Sequence, residues 1–117
     1  MLASVNSLGL MGIQGYPVTV EAYSTDGMPM FEIVGLPDAA VKESRERVRA
    51  AMAACRMSFP VARLTINLAP ADVRKEGPAY DLPIALAILT ATGVIDAQAL
   101  AGVAAVGELS LSGSVMG

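Results

Sequence analysis

The run Leu82–Ala91 constrains this chain more than any other segment. It contains no charged residue and is bounded by Asp81 and Gly93. A bilayer span needs about 20 such residues, so the run is too short to cross a membrane. It is also too uniformly apolar for a solvated helix, which keeps a polar face. It therefore reads as a helix buried in the core, Leu86 included, with Asp81 able to cap it, Pro83 in its first turn and Gly93 closing its end. Such a helix needs a sheet to lie on.

That sheet is legible as alternation. Val18, Val20 and Ala22 alternate with Thr19, Glu21 and Tyr23, and Leu64, Ile66 and Leu68 alternate with Arg63, Thr65 and Asn67 up to Ala69-Pro70; period two is the mark of a half-buried strand. Shorter runs lie near Ser4–Leu10 and at Met30–Val34, the latter set off by Asp26-Gly27 and Gly35. Three strands in succession suggest an antiparallel start. The period then changes. Pro37-Asp38 opens a stretch without glycine or proline before Pro60, and Val41, Val48, Met52 and Cys55 fall on one face at helical spacing. Asp96 starts a short turn through Leu100. An alternating element, Val103–Leu111, meets a tight turn at Ser112-Gly113. A second hairpin strand has barely begun at Ser114–Gly117, so Gly117 is expected to be a boundary within a longer polypeptide. The predicted order is βββαβαβ: an α+β (mixed α/β) domain, single over residues 1–117, with helices on one face of a mixed sheet.

A chain of 117 residues can bury one core. Its apolar fraction of 54% is high, and charged residues reach only 16% against an average of about 25%. Met1–Met11 holds no positive charge, which argues against a signal peptide and for a cytoplasmic location. The excess apolar surface is then expected to be hidden by neighbours. One cysteine, Cys55, and no histidine exclude an internal disulfide, a cysteine metal cluster and the commonest general base. The acidic residues form no Asp-x-Asp-x-Asp-Gly calcium loop.

Charge is unevenly distributed. All eight basic residues lie between Lys42 and Lys75; with five acidic residues in the stretch 38–76 its net charge is +3, in a chain of net −3. An anionic partner should meet this middle. At 100° per residue, Lys42, Arg45, Arg49 and Arg56 fall within a stripe of roughly 60°, about a quarter-turn from the apolar face, where they could touch phosphates. The pairs Glu43 to Arg47 and Lys42 to Glu46 have i, i+4 spacing and partly neutralise it, so a merely solvated face is the competing reading. Arg74-Lys75 is a second basic pair, in a loop that serves either a partner or only a turn. Lys42, Arg45, Arg49, Arg74 and Lys75 are thus the candidate nucleic-acid contacts, provided they face one groove. Gly9, Gly12 and Gly15 follow a strand but precede another, so they are turn glycines and not a phosphate loop. Cys55 reads as packing.

The stretch Arg74-Lys75-Glu76-Gly77-Pro78-Ala79-Tyr80-Asp81 resembles the Lys-Asp-Gly-Pro-Ser-Ala-Gly segment that carries the nucleophilic serine of Lon proteases, and Gly107–Gly113 resembles the strand that follows in that fold. Three runs in order, Gly35–Arg49, Asn67–Asp72 and Glu76–Pro83, resemble the amino-terminal domain of the magnesium-chelatase-like AAA+ ATPases of the ComM/YifB family. The resemblance implies a Lon-protease-like (ribosomal-protein domain 2-like) fold. It also implies a following AAA+ motor, usually a hexameric ring, that binds ATP and Mg²⁺ and serves as a DNA motor or branch-migration helicase in transformation and recombination. The implied partners are DNA, bound weakly and without sequence preference, the chain's own AAA+ module and neighbouring subunits; no membrane partner is implied. Ala79 stands where the serine would be, and neither Lys42 nor Lys75 matches the family's lysine. A Ser–Lys dyad is therefore missing, and this stretch is expected to be non-catalytic and to hold no cofactor of its own. Two rival readings are an assembly or substrate-adaptor domain without DNA affinity and a degenerate peptidase.

Overall fold

In a computed structural model of the chain, four strands form the main sheet: β1 (Leu2–Met11), β2 (Gln14–Thr25), β3 (Met30–Val34) and β4 (Arg63–Ala69). The residues described are 1–11 and 14–116, without the side chains of Leu10 and Met11. Gly12, one of the three expected turn glycines, and Gly117 lie outside them.

The strand order is β1-β2-β4-β3. β1 and β2 form an antiparallel hairpin with Val5 opposite Val20, and β4 pairs antiparallel to β2 with Ile66 opposite Ala22. β3 does not extend the antiparallel start that three successive strands suggested. It pairs parallel to β4, Ile33 opposite Ile66, because the chain returns to the sheet through a helical crossover, the connection that parallel neighbours require. Val5, Val18, Val20, Ala22, Leu64, Ile66 and Leu68 are buried on one face. On the other, the Asn67 amide donates to Glu21 Oε1 at 2.8 Å. All helices lie on the first face, so the mixed α+β architecture is as expected.

Asp38 caps the first helix, α1 (Ala39–Lys42), accepting from Val41 N at 2.8 Å. The helix expected to run on towards Pro60 breaks at Glu43 and resumes as α2 (Ser44–Ala54). Val41, Val48 and Met52 are buried as their spacing predicted, but Cys55 is exposed. The reason is a Schellman ending: Arg56 adopts φ 60°, and Arg56 N and Met57 N donate back to Ala53 O (3.0 Å) and Met52 O (2.8 Å). Arg56 thereby leaves the helical stripe as well.

The apolar run forms α3 (Asp81–Ala91), packed across β1 and β2. Its end is closed as expected, with Gly93 at φ 82° and Val94 N donating to Leu89 O at 2.9 Å. Two expectations fail here. Asp81 is the first helical residue and not a cap, and Leu86 is only half-buried, while Ile84 and Ile88 are fully buried. A 3-10 turn, Ala97–Leu100, is capped by Asp96. Of the strand expected at Val103–Leu111, only a bridge from Ala104 to Asn6 and the two-residue β5 (Glu108–Leu109) form; β5 pairs with β6 (Val115–Met116). The hairpin turn rests on α2: a Cβ on Gly113 would sit 2.5 Å from Cys55 Sγ. No described helix is long and apolar enough to cross a membrane.

Candidate functional site

β1, β3 and β4 all finish at one end of the sheet, and there the connection from β4 to α3 is sewn to the connection from β3 to α1. Lys75 N donates to Leu36 O and Lys75 O accepts from Asp38 N, both at 2.9 Å. The Lys75 side chain is fully buried, and its ammonium donates to Gly35 O at 2.9 Å and to Pro70 O. Burial pulls its pKa below the ordinary lysine value, with Asp72 opposing. Gly35 is required at this crossing: it has φ 102°, and a Cβ there would lie 2.3 Å from Leu68 O. Lys75, expected as a phosphate contact, is therefore a staple between two loops, and its charge is spent on backbone carbonyls.

Above this staple lies a cavity of about 690 Å³ between the β1–β2 hairpin and the loop leading into α3. Leu8, Tyr16, Asp38, Glu76, Ala79 and Tyr80 are among its walls. Tyr16 lies across Gly9, where a Cβ would meet its ring at 2.4 Å, and its hydroxyl donates to Arg74 O at 3.3 Å. Asp38 also accepts from Gly77 N at 3.2 Å. Burial, and secondarily the Tyr16 phenol beside it, raises the Tyr80 pKa well above the usual tyrosine value. Ala79 is exposed on the cavity wall just ahead of α3, so a methyl group stands where the sequence resemblance would put the serine of Lon proteases. No lysine lines the cavity among the described residues.

A second polar cluster escaped the sequence reading. Asp81, fully buried, accepts from Ser44 Oγ (2.5 Å), Arg47 Nε (2.6 Å), Arg47 Nη2 (3.0 Å) and Leu109 N (3.0 Å). The Arg47 pKa rises, first because of its hydrogen bond to Asp81. The helical pair expected with Glu43 does form, at 3.6 Å, but it is the exposed accessory to this buried one. The only signal was that Ser44 and Arg47, at i, i+3 spacing, flank the apolar face on the side away from the basic stripe.

Lys42, Arg45 and Arg49 are exposed along α1 and α2. The Arg49 guanidinium lies 4.9 Å from the centroid of Phe59 and 5.8 Å from that of Phe31, an attractive cation–π placement. Arg45 Nη1 reaches Phe31 O at 3.5 Å. Phe31 is opposite Leu64, near the start of β4, whereas Arg74 follows the far end of that strand, five residues and about 17 Å further along. Arg74 pairs there with Glu76 at 3.6 Å, both exposed. Arg45 and Arg49 thus share a surface, and Arg74 and Lys75 do not join them in one groove.

ATP does not fit the described residues. The α3 N-terminus, where a phosphate could sit, begins with the Asp81 carboxylate, and the loop ahead of it presents Glu76. No three histidine, cysteine or acidic side chains come together as a metal site among the described residues.

The sequence profile described as "Subunit ChlI of Mg-chelatase" matches residues 20–117, which sets the class: a magnesium-chelatase-like domain. Over 99% of its length the chain is 45% identical to the uncharacterized protein YifB of Salmonella typhimurium and 46% identical to the competence protein ComM of Haemophilus influenzae. It spans 23% of the length of each. The chain belongs to the ComM/YifB family of magnesium-chelatase-like proteins.

Proposed function

We propose that this chain is a non-catalytic accessory domain of a hexameric, cytoplasmic AAA+ ATPase that drives DNA branch migration in transformation and recombination, and that it offers DNA a weak phosphate-contacting face on α1 and α2. ATP and Mg²⁺ belong to the AAA+ module, and neighbouring subunits pack against the domain. The observation that carries the DNA reading is the exposed row Lys42, Arg45 and Arg49, with Arg49 held in place over Phe59. The name of the competence protein ComM supports the setting. A net charge of −3 opposes approach to a polyanion, so one copy binds weakly and a ring gains by avidity.

Fluorescence anisotropy of labelled oligonucleotides over a salt series tests this. The chain should bind with a Kd of about 10⁻⁶ to 10⁻⁴ M at low salt, and the triple variant Lys42→Ala, Arg45→Ala, Arg49→Ala should flatten the salt slope by up to about three phosphate contacts. Unchanged affinity and slope would leave the row a solvated face. The second reading, an assembly or adaptor domain without DNA affinity, is favoured by apolar side chains left in solvent, such as Met28 at 85% and Val61 at 88% exposure.

A further inference from the structure

The edge of β1 beside the cavity is open, and the reason is a proline. Leu8 stands opposite Pro17 on β2. Proline has no N–H to donate, so the two form a non-hydrogen-bonded pair, whose backbone groups turn away from one another. The N–H and C=O of Leu8 thus point out of the sheet. The same parity holds two residues earlier, where Asn6 O accepts from Ala105 N at 2.8 Å. The covering segment then leaves the edge, and Gly107 N donates to Ala79 O at 2.8 Å. The outward groups of Leu8 have no partner among the described residues.

Three polar groups of the cavity next to this edge are already fixed. Asp38 is held by Val41 N and Gly77 N, Tyr16 by Arg74 O, and Tyr80 by burial. Two carboxylates, Asp38 and Glu76, and two phenols line the space, the rest of the lining is apolar, and no basic side chain lines it among the described residues. Such a lining repels anions and suits a cation carried on an apolar stem. Arg74 does not fill this role, since its contact with Glu76 is solvent-exposed and weak. The volume of about 690 Å³ accommodates a long side chain.

We propose that this end of the sheet is a docking site for an extended segment of another polypeptide, which adds as a strand to the β1 edge at Leu8 and places a lysine or arginine side chain in the cavity. Main-chain hydrogen bonds at the edge supply affinity, and the acidic, tyrosine-walled cavity supplies specificity. The site is separate from the arginine row at the other end of β4, so its failure and that of the DNA reading are distinguishable.

The test uses three fluorescein-labelled heptapeptides of alternating valine and threonine whose central residue is lysine, norleucine or glutamate, with anisotropy and amide chemical shifts as readouts. The lysine peptide should bind at least about tenfold tighter than the glutamate one, with shifts centred on Leu8, Tyr16 and Tyr80. Ala79→Phe, which puts a ring into the cavity from its exposed rim, should weaken binding by about tenfold or more, and Glu76→Gln should narrow the preference for lysine over norleucine. Leu8→Pro removes the outward N–H without touching the β1–β2 ladder and should weaken all three peptides. Should Leu8→Pro fail to fold, N-methylation of alternate peptide residues probes the same hydrogen bonds and should abolish binding in one register only. Absence of saturable binding up to about 2 mM, equal affinity for the lysine and glutamate peptides, or wild-type binding by folded Ala79→Phe would overturn the proposal.

Discussion

Asp81 takes hydrogen bonds from the Ser44 hydroxyl, the Arg47 guanidinium and the Leu109 amide while wholly out of solvent. Removing one partner of such a pair strands the other, so Asp81→Ala should cost about 3–5 kcal/mol in urea denaturation, a large share of the roughly 5–15 kcal/mol of a whole domain. Adding Arg47→Met to Asp81→Ala should recover part of the loss, and a double-mutant cycle measures how much. Arg56 gives the opposite case. It occupies left-handed backbone at a helix end, where glycine is unstrained, so Arg56→Gly should raise stability by about 1 kcal/mol. Tyr80 gives a pH dependence. An unfolded tyrosine ionises near 10, while burial keeps the folded one neutral well above that. Above about pH 10 the unfolded state therefore sheds a proton that the folded state keeps, and stability falls as pH rises. Lys75, its pKa lowered, acts in the opposite sense, so the comparison of wild type with Tyr80→Phe isolates the effect: the variant should lose less stability from about pH 9.5 to 11.5. The types of these residues were plain in the sequence; their directions were not. Lys75 and Arg47 sit in the same basic stretch as Arg49, and only the crossing of the two loops, or the arrival of Asp81 on another helix, turns them inwards.

At the scale of elements, α3 was the most legible, because a run without charge has few other fates. Its inward face was not, since nearly every position is apolar. The full burial expected of Leu86 belongs instead to Ile84 and Ile88: Ile88→Ala should cost about 2–5 kcal/mol, and Ile88→Asp should abolish cooperative thermal unfolding, while Leu86→Asp should remain folded with a lowered melting temperature. Strands were legible by alternation, but alternation says nothing about neighbours. β3 was expected beside β2 because it follows it, yet the crossover sends it to the far side of β4. The final strand was overestimated because Gly102 and Gly107 punctuate a segment of which only Ala104, as an isolated bridge, and Glu108–Leu109 take up strand pairing among the described residues.

For the whole molecule, neither ATP turnover nor peptide cleavage is expected of this chain, and Ala79→Ser should not create the latter, because a serine there still lacks a base. Activity of rigorously purified protein above a vector-only preparation would overturn that reading. Segregation of charge along the sequence was real, but it did not become a single basic face: β4 carries the chain from the arginine row to the far end of the sheet before Arg74 appears. The same strand governs how the molecule can be made. During synthesis, β1 and β2 can zip up by themselves, but β3 has no described neighbour except β4 and must wait through a whole helical crossover for it. Until Arg63–Ala69 emerges, a nascent chain therefore exposes the inner edge of β2 and all of β3 together. The sheet then closes by one long-range insertion, a slow kind of step. That interval, when two unpaired edges face solvent side by side, is when one ribosome's product is most open to pairing with the next one's.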